Sequence, residues 1–247
     1  MDIFAILGVV IGLGFILTAQ ALEGGNIGQL LQLTAGMIVF GGTFGAVVGS
    51  FPPGDLKIAA AIIKDVIFPP KVDFDALIAE IVVFATKARK EGVIILEKEA
   101  KHASDPLLTL GLETVADGAD PSLVQGMMEN QITQFEEKIN KGSKVFEAGG
   151  GYSPTFGIIG AVMGLIQVMQ NLSDPSKLGA GIAVAFVATV YGLFLANLIL
   201  LPTATRIKFI FQKVLLAKEM MLEGILAIQA GESPALIERK LRSFILN

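Results

Sequence analysis

The chain has 247 residues, 53% of them hydrophobic and only 17% charged, with a mean hydropathy of +0.67. That is too apolar for an ordinary soluble domain and points to a protein of the lipid bilayer. A net charge of -4 with no basic tract speaks against a nucleic-acid partner, and the lack of cysteine excludes thiol catalysis, thiolate metal sites and disulfides.

In chain order, residues 3–22 are the first of four stretches without Asp, Glu, Lys, Arg or His. The others are 28–50, 152–170 and 178–203, and each is long enough to cross roughly 30 Å of hydrocarbon at about 1.5 Å per residue. Ala19-Gln20-Ala21 resembles a signal-peptidase site, but the chain starts Met1-Asp2 without a basic residue and a second apolar run follows closely, so a retained span is expected. Of 19 Lys and Arg, 11 fall in 51–150 and seven in 205–247. By the positive-inside tendency these two segments are cytoplasmic, which leaves 23–27 and 171–177 as short outer turns and places both termini inside.

The fold class expected is all-α: a polytopic membrane protein of four transmembrane helices with a helical cytoplasmic domain between spans two and three. The divisions are a membrane hairpin at 1–50, the cytoplasmic domain at 51–150, a second hairpin at 151–204 and cytoplasmic C-terminal helices at 205–247. Pro52-Pro53 and Pro69-Pro70 interrupt the insert, and 74–104 then carries apolar residues in three-four spacing, ending at Asp105-Pro106. A further helix starts with Asp120 as N-cap and Pro121 at its first position. Gly149-Gly150-Gly151 is expected to hinge this helix against the third span. A helix continues past the fourth span to Gly231, and Ser233-Pro234 caps a last amphipathic one. His102, among charges at a helix end, reads as a solvated residue and is given no role.

Within the spans, glycines four apart recur, among them Gly8 and Gly12, Gly41 and Gly45, and Gly160 and Gly164. Small residues let membrane helices approach closely, and the motif serves packing within one chain or between copies equally well. Polar positions are few. Thr155 follows Pro154, whose ring frees a carbonyl one turn earlier, and Thr189 lies mid-span. Two readings stand for these hydroxyls: a bond to their own helix, or part of an oxygen lining for a desolvated cation.

Ion carriers place a carboxylate or histidine inside the membrane, and these spans have none. If the chain conducts ions, the ionisable group comes from another polypeptide. No phosphate loop, nucleophile arrangement or metal-ligand pattern is present either, so neither an enzyme, a resident cofactor nor a metal site is expected.

Two spans, an insert of this length, then "SPTFGIIGAVMGLI" and "GAGIAVAFVATVYGLFLANLILLP" resemble the MotA/PomA stator family of the bacterial flagellar motor, across essentially the whole chain. The resemblance implies an inner-membrane ring of such subunits, a homo-oligomer of five, around a MotB/PomB-type partner that supplies the ion-binding aspartate. It implies Pro154, Thr155, Thr189 and Pro202 as the ion pathway, with Gly160 and Gly164 packing the helices. In "KARKEGVIILE" it implies Arg89, Glu97 and the neighbouring Lys90 as contacts to the rotor protein FliG. Threonine after the third-span proline is the habit of sodium-type members, so Thr155 points to sodium over protons; a hydroxyl replaces part of the ion's water shell. Two alternatives are an ExbB/TolQ-like energiser of outer-membrane processes, whose relatives usually have three spans, and a non-conducting membrane scaffold.

Overall fold

The structure is a computed structural model that describes residues 3–245, the side chains of 3–5, 176 and 177 excepted. Among these residues every regular element is helical, as the sequence predicts. The helices are α1 (Ile3–Leu22), α2 (Leu33–Ser50), α3 (Pro53–Ile67), α4 (Phe74–Glu91), α5 (Ile95–Ala100), α6 (Pro106–Ala116), α7 (Pro121–Gln170), α8 (Pro175–Phe194), α9 (Leu201–Gln229) and α10 (Pro234–Arg242). Two π-helical turns interrupt the α register, Met37–Gly41 inside α2 and Leu195–Leu200 joining α8 to α9. Among the described residues, three helices are long and apolar enough to cross a membrane, Leu33–Ser50, Pro121–Gln170 and Leu178–Gln229, and the first expected span is represented by the shorter apolar stretch Ile6–Leu22.

The chain forms two compact units, and their division differs from the expected one. Residues 3–69 with 139–209 make the first, so α3 groups with the apolar helices although its residues were assigned to the cytoplasmic insert. Residues 70–138 with 210–245 make the second, which joins the insert and the C-terminal helices in one body. Its core is continuous: Ile78, Ile81, Leu96, Leu108, Leu112, Met128, Met220, Ile225, Ile237 and Leu241 are all essentially solvent-free and come from every helix of the unit. Burial of that many aliphatic side chains is what holds short helices such as α5 and α10 in place, since helices of this length are marginal alone.

Four local readings of the sequence are corrected. The second span begins at Leu33 and not at residue 28, because Asn26 and Gln29 cap each other around a short 3-10 turn and Leu31 and Gln32 are extended. The helix expected over 74–104 breaks at Gly92, whose φ of +85° ends α4 and turns the chain into α5. A helix that the pattern left unassigned, α6, starts from Asp105 as N-cap, its carboxylate accepting from the Leu107 amide at 2.8 Å. Finally, the glycines at 149–151 make no hinge, and α7 stays helical through them and through Pro154. The physical reason is packing: a Cβ at Gly149 would stand 3.2 Å from Leu200 and one at Gly150 2.6 Å from Leu201. Gly149 and Gly150 thus admit large neighbours within a continuous helix.

The remaining expected start signals are present. Ser233 accepts from the Leu236 amide at 3.3 Å with Pro234 following at the first helical position, and α7 begins at Pro121 with the Asp120 carbonyl accepting from Val124.

Candidate functional site

Of the expected pathway residues, Pro154 and Thr189 lie where α7 and α8 cross in the first unit, and the crossing is made by small residues. Gly157, Gly160 and Gly164 on α7 recur at three-four spacing, as do Gly181, Ala185, Ala188 and Gly192 on α8. A Cβ at Gly160 would come within 2.5 Å of Ala188, one at Gly164 within 2.6 Å of the Gly181 carbonyl, and one at Gly192 within 2.7 Å of the Ser153 carbonyl. Backbone meets backbone here, the arrangement that substitutes for a hydrophobic drive between helices in lipid. At the same crossing the buried Ser153 hydroxyl donates to the Gly192 carbonyl oxygen at 2.9 Å.

Both candidate threonines bond their own helix. The Thr189 hydroxyl donates to the Ala185 carbonyl at 3.2 Å, and the Thr155 hydroxyl donates to the Tyr152 carbonyl at 2.6 Å. Donation fixes the hydroxyl proton inward and leaves the oxygen's lone pairs as acceptors, so the two readings open at the sequence level are compatible. Thr189 is half-buried, its Cα 3.2 Å from where a Cβ on Gly157 would sit. Thr155 is exposed and stands two residues, about 200° around the helix, from Gly157. The single chain therefore does not bring Thr155 and Thr189 together: one lies at the α7–α8 contact, the other on the open side of α7 with Ile158, Ile159 and Val162.

Pro154 sits inside α7 and denies the Gly150 carbonyl its usual amide, while Pro202 is exposed at the start of α9 and does the same for Leu198. Leu198 belongs to the π-helical turn and covers Gly12 of α1 at 2.8 Å from a Cβ built there. Sequence reasoning missed this π turn. It also missed Tyr191, whose hydroxyl bonds the backbone at Leu30, where the 3-10 turn ends, and at the extended Gln32. The spacing of Gly157, Gly181 and Gly192 was the available signal for the crossing itself.

In the second unit, Gly92 sets the charged residues of α4 and α5 around one corner. Lys87 spans it, its ammonium 2.6 Å from Glu99. Arg89 and Lys90 in the last turn of α4, and Glu97 in the first turn of α5, are exposed and carry no ion pair among the described residues. Cations at a helix C-terminus and a carboxylate at the next N-terminus also suit the helix dipoles. The corner thus presents two free cations and a free anion to an outside surface.

The MotA/TolQ/ExbB proton channel family matches residues 99–220. Chemotaxis protein PomA of Vibrio alginolyticus is 31% identical, over 99% of this chain and 96% of its own. Bacillus subtilis YtxD, described as uncharacterized, is 34% identical over 97% of this chain and 87% of its own. A solved structure of C. jejuni MotAB superposes with a TM-score of 0.93 at 30% identity, covering 99% of this chain and 96% of that one.

Proposed function

The chain belongs to the MotA/TolQ/ExbB proton channel family, on its MotA and PomA branch of motor stators and not of enzymes, and from that membership we propose how it works. It is the stator subunit of a flagellar motor in the bacterial inner membrane, with both termini in the cytoplasm. Several copies, five in the expected ring, surround a MotB/PomB-type partner; the likeness to solved MotAB complexes supports such a partner. Matches along the full length, the first hairpin included, favour this over a three-span energiser.

The observation that carries the reading is the lack of any acidic, basic or imidazole side chain in 3–22, 28–50, 152–170 and 178–203. A bilayer passage without its own switchable charge borrows one, and the partner's aspartate is the group borrowed. Sodium, favoured by Thr155, reaches that aspartate along the faces bearing Pro154, Thr155, Thr189 and Pro202. Because Thr155 and Thr189 lie on different sides of the α7–α8 pair, a lining that includes both draws them from adjacent copies. Each unit charge falling through about 100 mV releases roughly 2.3 kcal/mol, enough to bias the packing of small-residue faces between two arrangements. Arg89, Lys90 and Glu97 deliver the movement to the rotor protein FliG, since complementary charge steers and registers a moving contact without tight binding.

Thr189→Ala and Pro154→Ala, expressed with the partner in a motile host lacking its own stator, should abolish or severely reduce torque at unchanged membrane levels. Normal rotation with either replaced contradicts the pathway. Swimming speed titrated against sodium at fixed pH reads the coupling ion directly.

A further inference from the structure

We infer that Tyr191 is a positioning residue for this pathway, an inference that rests on the assignment of Thr189 to the ion route. The backbone leaves helical geometry at Leu31 (φ −93°, ψ 91°) and Gln32 (φ −123°, ψ 105°), just before α2. Backbone polar groups freed there have little water to turn to beside apolar helices, so each needs a protein partner. One phenol serves two of them: the Tyr191 hydroxyl donates to the Leu30 carbonyl at 2.5 Å and accepts from the Gln32 amide at 3.2 Å. Its ring lies 5.8 Å from that of Phe40 and in contact range of Gly36, where a Cβ would stand 3.7 Å from it.

The consequence concerns α8. Tyr191 and Thr189 are two residues apart, so they point to nearly opposite sides of that helix. On the Thr189 side α8 is held against α7 by Gly157 and by the Ser153 bond to Gly192. On the Tyr191 side it is held to α2 by the phenol, by Phe40, and by Ala35 and Val39 against Val187 and Ala188. A helix gripped on both flanks has its rotation fixed, and that rotation decides where Thr189 stands. The Tyr191 hydroxyl supplies the directional part of the outer grip, because apolar contacts alone tolerate sliding.

The test is a double-mutant cycle on swimming speed in the full stator complex, with membrane level and assembly measured alongside. Tyr191→Phe keeps the ring and removes the hydroxyl; it should slow swimming by about threefold or more, the factor an interhelical hydrogen bond of ordinary membrane strength carries. Thr189→Ser keeps the hydroxyl and leaves measurable speed; with Tyr191→Phe it should be no slower than Thr189→Ser alone, since the tyrosine acts through the threonine. Independent, multiplicative losses would overturn the inference, as would normal speed for Tyr191→Phe where Thr189→Ala is impaired. Normal speed for Thr189→Ala would remove the pathway reading itself. If Tyr191→Phe does not assemble, Phe40→Leu, which loosens the ring and spares the hydroxyl, goes through the same cycle with the same two deciding outcomes.

Discussion

Ser153 and Gly192 are joined by a buried hydrogen bond of 2.9 Å, and a Cβ on that glycine would fall 2.7 Å from the Ser153 carbonyl. Two helices that touch this closely, through backbone and one hydroxyl, leave no slack at the level of Pro154 and Thr189. The same holds one turn and more away, at Gly160 and Gly164.

Tolerance to alanine should therefore differ sharply among the glycines. Gly164→Ala puts a methyl 2.6 Å from the Gly181 carbonyl and 2.7 Å from the Ala185 amide, both backbone, and overpacking of this kind costs about 1–3 kcal/mol. Gly8→Ala meets nothing within 4 Å. Heat stability of the purified chain should fall for the first and stay unchanged for the second. Equal stability would mean that the α7–α8 crossing is looser than its geometry implies.

The π turn at Leu195–Leu200 keeps two hydrogen bonds in register. The buried Ser143 hydroxyl donates to the Ala204 carbonyl at 3.1 Å, ten residues before the Ser153 bond on α7, whereas Gly192 and Ala204 are twelve apart. A π turn packs an extra residue into one turn and so takes up part of the difference. Deleting Ile199 should turn the π turn into an ordinary α turn and leave everything downstream in place, because that turn is where the extra residue is absorbed. The chain has no cysteine, so Ser143→Cys with Ala204→Cys gives a clean disulfide report. Crosslinking should be efficient in the full-length chain and survive the deletion; its loss would show that the π turn does not absorb the extra residue.

Much of this was legible beforehand and some was not. The apolar runs, the helix starts at Asp120-Pro121 and Ser233-Pro234, and the all-helical class follow from periodicity and local hydrogen bonding, which are encoded within a few residues. The breaks at Gly92 and at Leu31-Gln32 were hidden because their neighbours keep the apolar pattern of a helix. The glycines at 149–151 misled for the opposite reason: low helix propensity was overridden by Leu200 and Leu201 packing into the space they leave. For the candidate site, the sequence offers the motif residues as positions only, and their faces depend on long-range packing. Nothing local places Thr155 opposite Gly157's contact or sends Tyr191 to Leu30.

At the Gly92 corner, Gly92→Ala should separate charge from geometry. A φ of +85° with ψ 164° is a conformation that a Cβ makes costly by about 1–3 kcal/mol, so the turn relaxes and moves Glu97 relative to Arg89. Motility should fall although every charge remains. Wild-type swimming at wild-type protein level would mean that the rotor reads charge without regard to its placement.

The second unit carries a contact with a defined pH sign. The hydrogen bond from Lys240 to Glu223 is the main reason its pKa is raised above 10.5; burial opposes it, and the charges of Glu223 and Glu232 add to the rise. A raised cation stabilises fully below its unfolded pKa and loses that contribution only as pH climbs through the higher folded value. Lys240→Met should thus destabilise by the same amount, under about 1 kcal/mol for so exposed a pair, at pH 6 and pH 9. The deficit should shrink only above pH 10.5. A deficit that already varies between pH 6 and 9 would assign the effect to another group.

Cation flux into sealed vesicles, measured for the purified chain alone and for the chain co-purified with its partner, bears most directly on the borrowed charge. The chain alone should leak no more than empty lipid, and flux should appear with the partner and vanish when the partner's membrane aspartate is replaced by asparagine. A robust, selective current from the chain by itself would contradict the account.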